Sequence, residues 1–209
     1  MTTTEKRARE KQDLKRVILD AARELFATEN YKSVSIRRIA EKIDYSPGSI
    51  YLYFKDKDEI LDSLAEEGFR LLGDRLGSIK KTDSLDKLRE VARAYLDFAI
   101  GQPHYYRIMF ELGDSFQETP SSEHQARQTQ NQRAYEIIRN AVRDGVSAGD
   151  LSSQIDEAFA THILWAQMHG IASLALAGRL GLLPKEDHQA FFDAAIDSVL
   201  CGISPCCDP

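Results

Sequence analysis

The sequence predicts an all-α fold, with an N-terminal three-helix unit followed by a helical bundle, about nine helices in all. Three observations predict it. Apolar residues recur every three to four positions through most of the chain. No segment sustains the period-two alternation of a half-buried strand. Caps, prolines and glycines interrupt the apolar stripes at helix-length intervals.

Each element follows from its residues. Residues 1–10 are polar and are read as disordered. Residues 12–29 carry Leu14, Val17, Ile18, Ala21, Leu25 and Phe26 at helical spacing. Ile36, Ile39, Ala40 and Ile43 repeat that spacing in a shorter helix, and Ser35 is placed to cap its first turn. Ser46-Pro47 starts a third helix, a hydroxyl cap followed by proline at the first helical position. Asp56 opens a fourth, with Glu59 three residues on in a variant of the capping box.

Further helices are expected at 84–100, 103–113, 122–147, 155–178 and 186–202. Gly101, Gly113, Gly149 and Gly181 fall near the breaks, and Pro103 and Pro184 near the next starts. Residues 117–122 read as a loop and the tail ISPCCDP as frayed. No internal repeat is visible.

Length and charge narrow the class. The 209 residues suffice for one large or two small domains, and the 43% hydrophobic content allows a sizeable core. The formal charge of −6 argues against a general nucleic-acid binder. Its distribution argues otherwise. Residues 1–57 hold 13 Lys/Arg against 9 Asp/Glu, whereas residues 58–209 hold 14 against 24. A basic head on an acidic body suits a DNA reader whose body is held off the phosphates.

Cys201, Cys206 and Cys207 all lie in the last nine residues and cannot staple a core. A disulfide scaffold is thereby excluded, and a reducing, cytoplasmic setting is expected. The N-terminus is polar and charged, with no stretch resembling a signal peptide. Residues 158–178 contain no Lys, Arg, Asp or Glu. Their His, Gln, Thr, Ser and Ala content favours a buried bundle or interface helix over a membrane span, so no membrane partner is expected.

The stretch SIRRIAEKIDYSPGSIYLYFKDK is the most informative in the chain. It reads as two short helices joined by a tight turn. In a helix-turn-helix the first helix braces on the backbone and the second enters the major groove. Ile36, Ile39, Ala40, Ile43, Ile50 and Phe54 can share one small core with Val17, Ala21 and Leu25. That leaves Arg37, Arg38, Ser46, Gly48, Ser49, Leu52 and Tyr53 outside it. Gly48 lets a backbone approach DNA closely, and Ser49 can donate to a base edge or phosphate. Tyr51 and Tyr53 offer hydroxyls. Lys55 and Lys57 end the unit near the next helix's N-terminus, where amide N–H groups favour a phosphate.

These residues resemble the N-terminal domain of the tetracycline-repressor (TetR) family of transcriptional regulators. The run Ser46-Pro47-Gly48-Ser49-Ile50-Tyr51-Leu52-Tyr53-Phe54-Lys55-Asp56-Lys57 through Leu61 is similar to the family's recognition helix and the start of its connecting helix. Residues 18–26, ILDAARELF, resemble its first helix, and residues 31–40, YKSVSIRRIA, its entry to the second. The resemblance covers about residues 14–61. It implies Arg37, Ser49, Tyr51, Tyr53 and Lys57 as DNA contacts, to which the spacing adds Ser46, Gly48 and Lys55. One departure stands out. The family's turn commonly holds glycine and a small apolar residue, and here it is Asp44-Tyr45. Aspartate tolerates a left-handed backbone better than most residues.

The body resembles the family less closely. Residues 104–110, HYYRIMF, and 165–170, WAQMHG, are similar to a subclass named for a Trp…His-Gly signature. The resemblance implies a dimerising and ligand-binding body. Candidate pocket residues are Tyr105, Tyr106, Met109, Phe110, Trp165, Met168 and His169, which would suit a mostly apolar ligand. The bland alternative is that they are plain core. No Asp, Glu or Cys accompanies Trp165 and His169 locally, so no metal is expected. Candidate interface residues are Ile163, Ala166, Gly170, Leu174, Phe191, Phe192, Ala195, Ile196 and Val199.

Residues 1–57 are thus read as a DNA-binding domain and 58–209 as an effector-binding and dimerising domain. The expected function is a dimeric repressor on a palindromic duplex operator, released by a small effector of unknown identity, with no cofactor. Two alternatives remain at this stage. An enzyme lacks support, because the chain has no Gly-rich phosphate loop and no nucleophile elbow. An interaction protein that has lost DNA binding is opposed by Ser49, Tyr53 and Lys57. The basic run Lys6, Arg7, Arg9 and Lys11 is read either as a minor-groove or phosphate arm or as a solubilising tail.

Overall fold

The computed structural model describes residues 3–112, 122–181, 184 and 187–205. Among them the chain is helical with no strand. Nine helices follow in order: α1 (Thr3–Thr28), α2 (Ile36–Lys42), α3 (Pro47–Tyr51), α4 (Lys57–Gly77), α5 (Ser84–Gly101), α6 (Pro103–Phe110), α7 (Ser122–Ala148), α8 (Glu157–Leu176) and α9 (His188–Gly202). A 3-10 turn, Tyr31–Ser33, lies between α1 and α2. Among the described residues no helix is long and apolar enough to cross a membrane.

Most helix ends are where the sequence places them, because the caps act locally. Ser35 accepts from the Arg38 amide and Ser46 from the Ser49 amide. Asp83 accepts from the Asp86 amide, and Asp156 from the amides of Ala158 and Phe159. Asp56 accepts from the Glu59 amide, and Glu59 reaches back to the Lys55 amide one residue before the cap, a variant of the capping box.

One expectation fails. The N-terminal residues are not disordered from 3 onward, since α1 already begins at Thr3. Glu, Lys, Arg, Ala and Gln dominate residues 5–12, all good helix formers, and no glycine or proline interrupts them. Cys206, Cys207 and residues 117–121 of the expected loop lie outside the described residues.

The chain folds as two compact units. The first is Met1–Phe69 with His104–Thr129, and the second is Arg70–Pro103 with Gln130–Pro209.

In the first unit α6 packs on α1 and on the middle of α4. Arg23 donates to the Tyr105 hydroxyl at 3.1 Å, and Arg107 donates to the Ala27 carbonyl. The Phe69 and Phe110 rings meet edge to face at 5.5 Å. The core of this unit contains Ile18, Ala21, Leu25, Phe26, Ile36, Ile39, Ala40, Ile50 and Phe54. Val17 is expected there by its spacing but is 45% exposed. Ile18, Ala21/Ala22 and Leu25 already fill the buried stripe of α1, and Val17 lies about a quarter-turn off it.

In the second unit α5 lies against α8 and α9. Its apolar face buries Leu88, Val91, Ala92, Tyr95, Phe98 and Ala99. Ion pairs tie the exposed rims. Arg89 reaches Asp197 and Arg93 reaches Asp193, each at 2.7 Å. Arg139 and Arg143 of α7 share the Glu157 carboxylate at the start of α8.

Candidate nucleic-acid interface

The turn between α2 and α3 is built from backbone groups. The Tyr45 amide donates to the Ala40 carbonyl at 3.0 Å and the Asp44 amide to the Glu41 carbonyl at 3.4 Å. That paired pattern is a Schellman ending, which requires a left-handed residue at its penultimate position. Asp44 supplies it with φ of 57°. The turn therefore forms without the glycine that the family usually has, as the tolerance of aspartate implies.

The buried side of the motif is Ile36, Ile39, Ala40, Ile50 and Phe54. Ile43 is only half-buried. The other side faces outward. Arg37, Ser46, Gly48, Tyr51, Leu52 and Lys55 are exposed, and Ser49 and Tyr53 are half-exposed. Leu52, at 76%, is the most exposed large apolar side chain among the described residues. An apolar group held in water at the end of a reading helix suits contact with a thymine methyl or a sugar.

Each candidate side chain has a definable state. Arg37 pairs with Glu41 at 2.8 Å on the open surface of α2, a weak pair that a phosphate can displace. Arg38 is engaged differently, gripping the Glu29 carboxylate just beyond the end of α1, and so serves the fold rather than the outer face. The Ser46 oxygen caps α3 and lies 3.0 Å from the Ser49 hydroxyl. A Cβ at Gly48 would meet only the Ser46 oxygen, at 3.7 Å, so nothing in the protein crowds this position. The glycine leaves open surface that a DNA strand can approach.

Lys57 has a role that sequence reasoning missed. Its ammonium donates to the Tyr31 carbonyl at 3.0 Å and the Val34 carbonyl at 3.3 Å, and it stands over the Tyr31 ring. Burial lowers its pKa from the ordinary lysine value, while the two carbonyls favour the charged form. Two of its three protons are thereby spent holding the 3-10 turn against the start of α4, and one remains. The amides at that helix start are partly taken as well, by Asp56 and Glu59.

The body candidates divide between the two units. Tyr105, Tyr106 and Met109 are buried in the first, with Phe110 half-buried beside them. Met109 and Tyr105 close over Gly68, where an added Cβ would come within 2.6 Å of the Met109 sulfur. Met168 is buried in the second unit, and Trp165 and His169 are half-buried. The Tyr95 hydroxyl lies 3.2 Å from His169 Nδ1, and the Trp165 and His169 rings are 6.2 Å apart.

The expected interface residues also divide. Ile163, Ala166, Gly170 and Leu174 belong to α8, which also carries Phe159, 69% exposed. Ile163 and Leu174 are 44% and 45% exposed, so this helix presents an apolar row to solvent. Phe191, Ala195 and Val199 lie on α9 outside its buried stripe. Phe192 and Ile196 must be removed from that face. Both are buried, because with Leu200 they form the inward stripe of α9. Cys201 is exposed near the end of α9.

Comparison with known proteins agrees with this geometry. A family model described as bacterial regulatory proteins of the tetR family matches residues 18–64. A second, described as the tetracyclin repressor-like C-terminal domain, matches residues 88–199. A fatty acid metabolism regulator protein of Bacillus subtilis is 29% identical over 153 residues, which span 71% of this chain and 76% of that protein. A tetR-family regulatory protein from Rhodococcus RHA1 superposes with a TM-score of 0.75 at 18% identity, over 91% of this chain and 96% of that one. The transcriptional regulator FadR from Bacillus subtilis, in complex with stearoyl-CoA, superposes with a TM-score of 0.71 at 20% identity, over 90% and 98%.

Proposed function

The chain belongs to the tetR family of bacterial regulatory proteins and is a DNA-binding transcriptional regulator, not an enzyme; we propose that it is a cytoplasmic, dimeric repressor that a long-chain acyl thioester releases from a palindromic operator. Residues 1–57 read the DNA and the remainder binds effector and partner. The observation that carries the reading is the outward face of α2 and α3. Arg37, Gly48, Tyr51 and Leu52 are exposed there and Ser49 and Tyr53 half-exposed, with Lys55 exposed just beyond and no packing role for the glycine.

The dimer reading rests on the exposed apolar row of α8, which runs from Phe159 through Ile163 to Leu174 with Ala166 and Gly170 between them. A Cβ at Gly170 would meet nothing within 4 Å, so its smallness serves no neighbour in the protomer. A second copy of α8 could approach closely there. Two recognition helices would then enter successive major grooves about 34–36 Å apart.

The effector class is suggested by the fatty acid metabolism regulator and by the stearoyl-CoA bound to the Bacillus subtilis FadR. In this chain Met168, Trp165 and His169 are the body residues we assign to it, with the Tyr95–His169 pair as the polar group in an apolar interior. An effector acts by binding the non-DNA-binding state more tightly and shifting the equilibrium toward it.

The test is a titration of the full chain into labelled duplex from upstream of its own coding region, at several salt concentrations. A salt-dependent shift is expected, reversed by stearoyl-CoA but not by free coenzyme A. Absence of any shift would overturn the DNA-binding reading. A shift unaffected by acyl thioesters would overturn only the effector assignment.

A further inference from the structure

The N-terminal turns of α1 serve no purpose in the core of the first unit. Buried residues on this helix begin at Ile18, and the described side chains before it are exposed except for half-buried Leu14. Yet the helix runs back to Thr3. Residues 5–16 carry Lys6, Arg7, Arg9, Lys11, Lys15 and Arg16 against Glu5, Glu10 and Asp13, a net charge of +3.

This segment borders the reading face. Glu10, Lys11 and Leu14 form one wall of an open groove of about 660 Å³, whose other wall is Tyr45, Leu52 and Tyr53. One turn after Lys11, the Lys15 ammonium stands 5.3 Å above the Phe54 ring. Lys11 and Lys15 therefore run alongside the end of the recognition helix. The groove offers a cation, two phenols and the apolar surfaces of Leu14 and Leu52. That chemistry matches a sugar–phosphate strand: the phosphate accepts from the cation and the phenols, and the sugar lies on the leucines.

A minor-groove arm is excluded on size. The B-DNA minor groove is roughly 6 Å wide, and a helix with its side chains is roughly 10–12 Å across. With the major groove taken by the recognition helix, a helical segment beside it is left the outside of the backbone.

We propose that the N-terminal turns of α1 are a second phosphate-binding element, in which Lys11 and Lys15 hold the DNA backbone strand that borders the recognition helix. This rests on the reading that the chain binds duplex DNA. Glu10 opposes it from within the groove, and it is paired only loosely with Lys6, at 3.9 Å on the open surface.

The experiment measures equilibrium binding of the full chain to its upstream duplex across a range of potassium chloride concentrations. For Lys11→Gln/Lys15→Gln the slope of log K against log salt should fall by about two units, near 0.9 for each phosphate that is no longer neutralised. Preference for that duplex over a random one should stay unchanged. Glu10→Gln should tighten binding several-fold at low salt. A hydroxyl-radical footprint should lose protected backbone positions at the edge of the site, with the centre retained.

An unchanged slope and footprint in the double variant would overturn the proposal and make α1 a solubilising extension. Lys15→Arg, which keeps the charge over Phe54, should bind like the parent. If instead it loses as much as the double variant, the lysine acts through folding and the proposal fails. If the parent protein itself shows no salt-dependent binding, the fault lies with the DNA-binding reading rather than with α1.

Discussion

The Lys57 ammonium stands 3.8 Å from the centre of the Tyr31 ring and donates to the carbonyl of the same residue at 3.0 Å. One side chain thus fixes the start of α4 against the turn that leads into α2. The Tyr31 hydroxyl returns the contact by donating to Asp58, and its ring stacks on Phe26 at 6.1 Å. On the proposed reading, the orientation of the α2–α3 face depends on this clasp. Lys57→Ala should therefore lower stability by about 1–3 kcal/mol, through removal of two charged hydrogen bonds and a cation–π interaction. It should also weaken binding to specific and random duplex alike. Urea unfolding and a binding titration on the same preparation check both. A variant that loses DNA affinity at full stability would return Lys57 to a simple phosphate contact.

Asp44 occupies a left-handed backbone at φ of 57° in the Schellman ending of α2. Asp44→Gly should be neutral or stabilising by up to about 1 kcal/mol, since glycine takes this conformation without strain. Asp44→Val should cost about 1–2 kcal/mol, because a β-branched residue is strained there. Thermal denaturation should show a lowered midpoint for Asp44→Val and an unchanged or raised one for Asp44→Gly.

Much of this architecture is legible in the sequence because its signals are local. Ser35, Ser46 and Asp56 act within four residues of themselves, so their helices begin where spacing and chemistry say. The motif core is legible for the same reason, apart from Val17, which is exposed, and Ile43, which is only half-buried. What is not legible depends on residues far apart in the chain. Nothing around Arg107 announces that it reaches the Ala27 carbonyl, and nothing around Lys57 announces Tyr31 and Val34. The inward turn of Phe192 and Ile196 is a matter of which part of the broad apolar side of α9 meets α5 and α8. The helical start of α1 is within reach of the sequence, given its strong helix formers, because polarity alone does not imply disorder.

The two kinds of apolar residue on the last helices should respond differently. Ile163→Glu, on the exposed row of α8, should leave the fold intact and convert a dimer to a monomer in light scattering at micromolar concentration. Ile196→Ala, in the buried stripe of α9, should cost about 2–5 kcal/mol of stability. If Ile163→Glu left association unchanged, the α8 face would not be the interface.

Glu157 tests the acid response of the second unit. Its hydrogen bond to Arg143, chiefly, and that to Arg139 hold its pKa below the ordinary glutamate value. The unfolded chain therefore binds the proton first, and the contribution is present above the unfolded value. It is lost as pH falls through the lowered one. Glu157→Gln should be less stable than the parent near neutrality. The gap should close on acidification from about pH 6 to about pH 3, as read from urea midpoints.

Gly48 sets stability against function. It lies in the first turn of α3, where a Cβ would meet only the Ser46 oxygen at 3.7 Å. The fold gains nothing from glycine here and loses by its flexibility. Gly48→Ala should raise stability by up to about 1 kcal/mol. The added methyl projects from the surface proposed to meet DNA, so on that reading binding should weaken on the order of tenfold, about 1.4 kcal/mol. A stabilised variant with poorer affinity is a signature that a purely structural role for α3 does not produce. If Gly48→Ala gained stability and bound DNA as well as the parent, no strand would approach this position, and the docking face would have to be sought elsewhere on the unit.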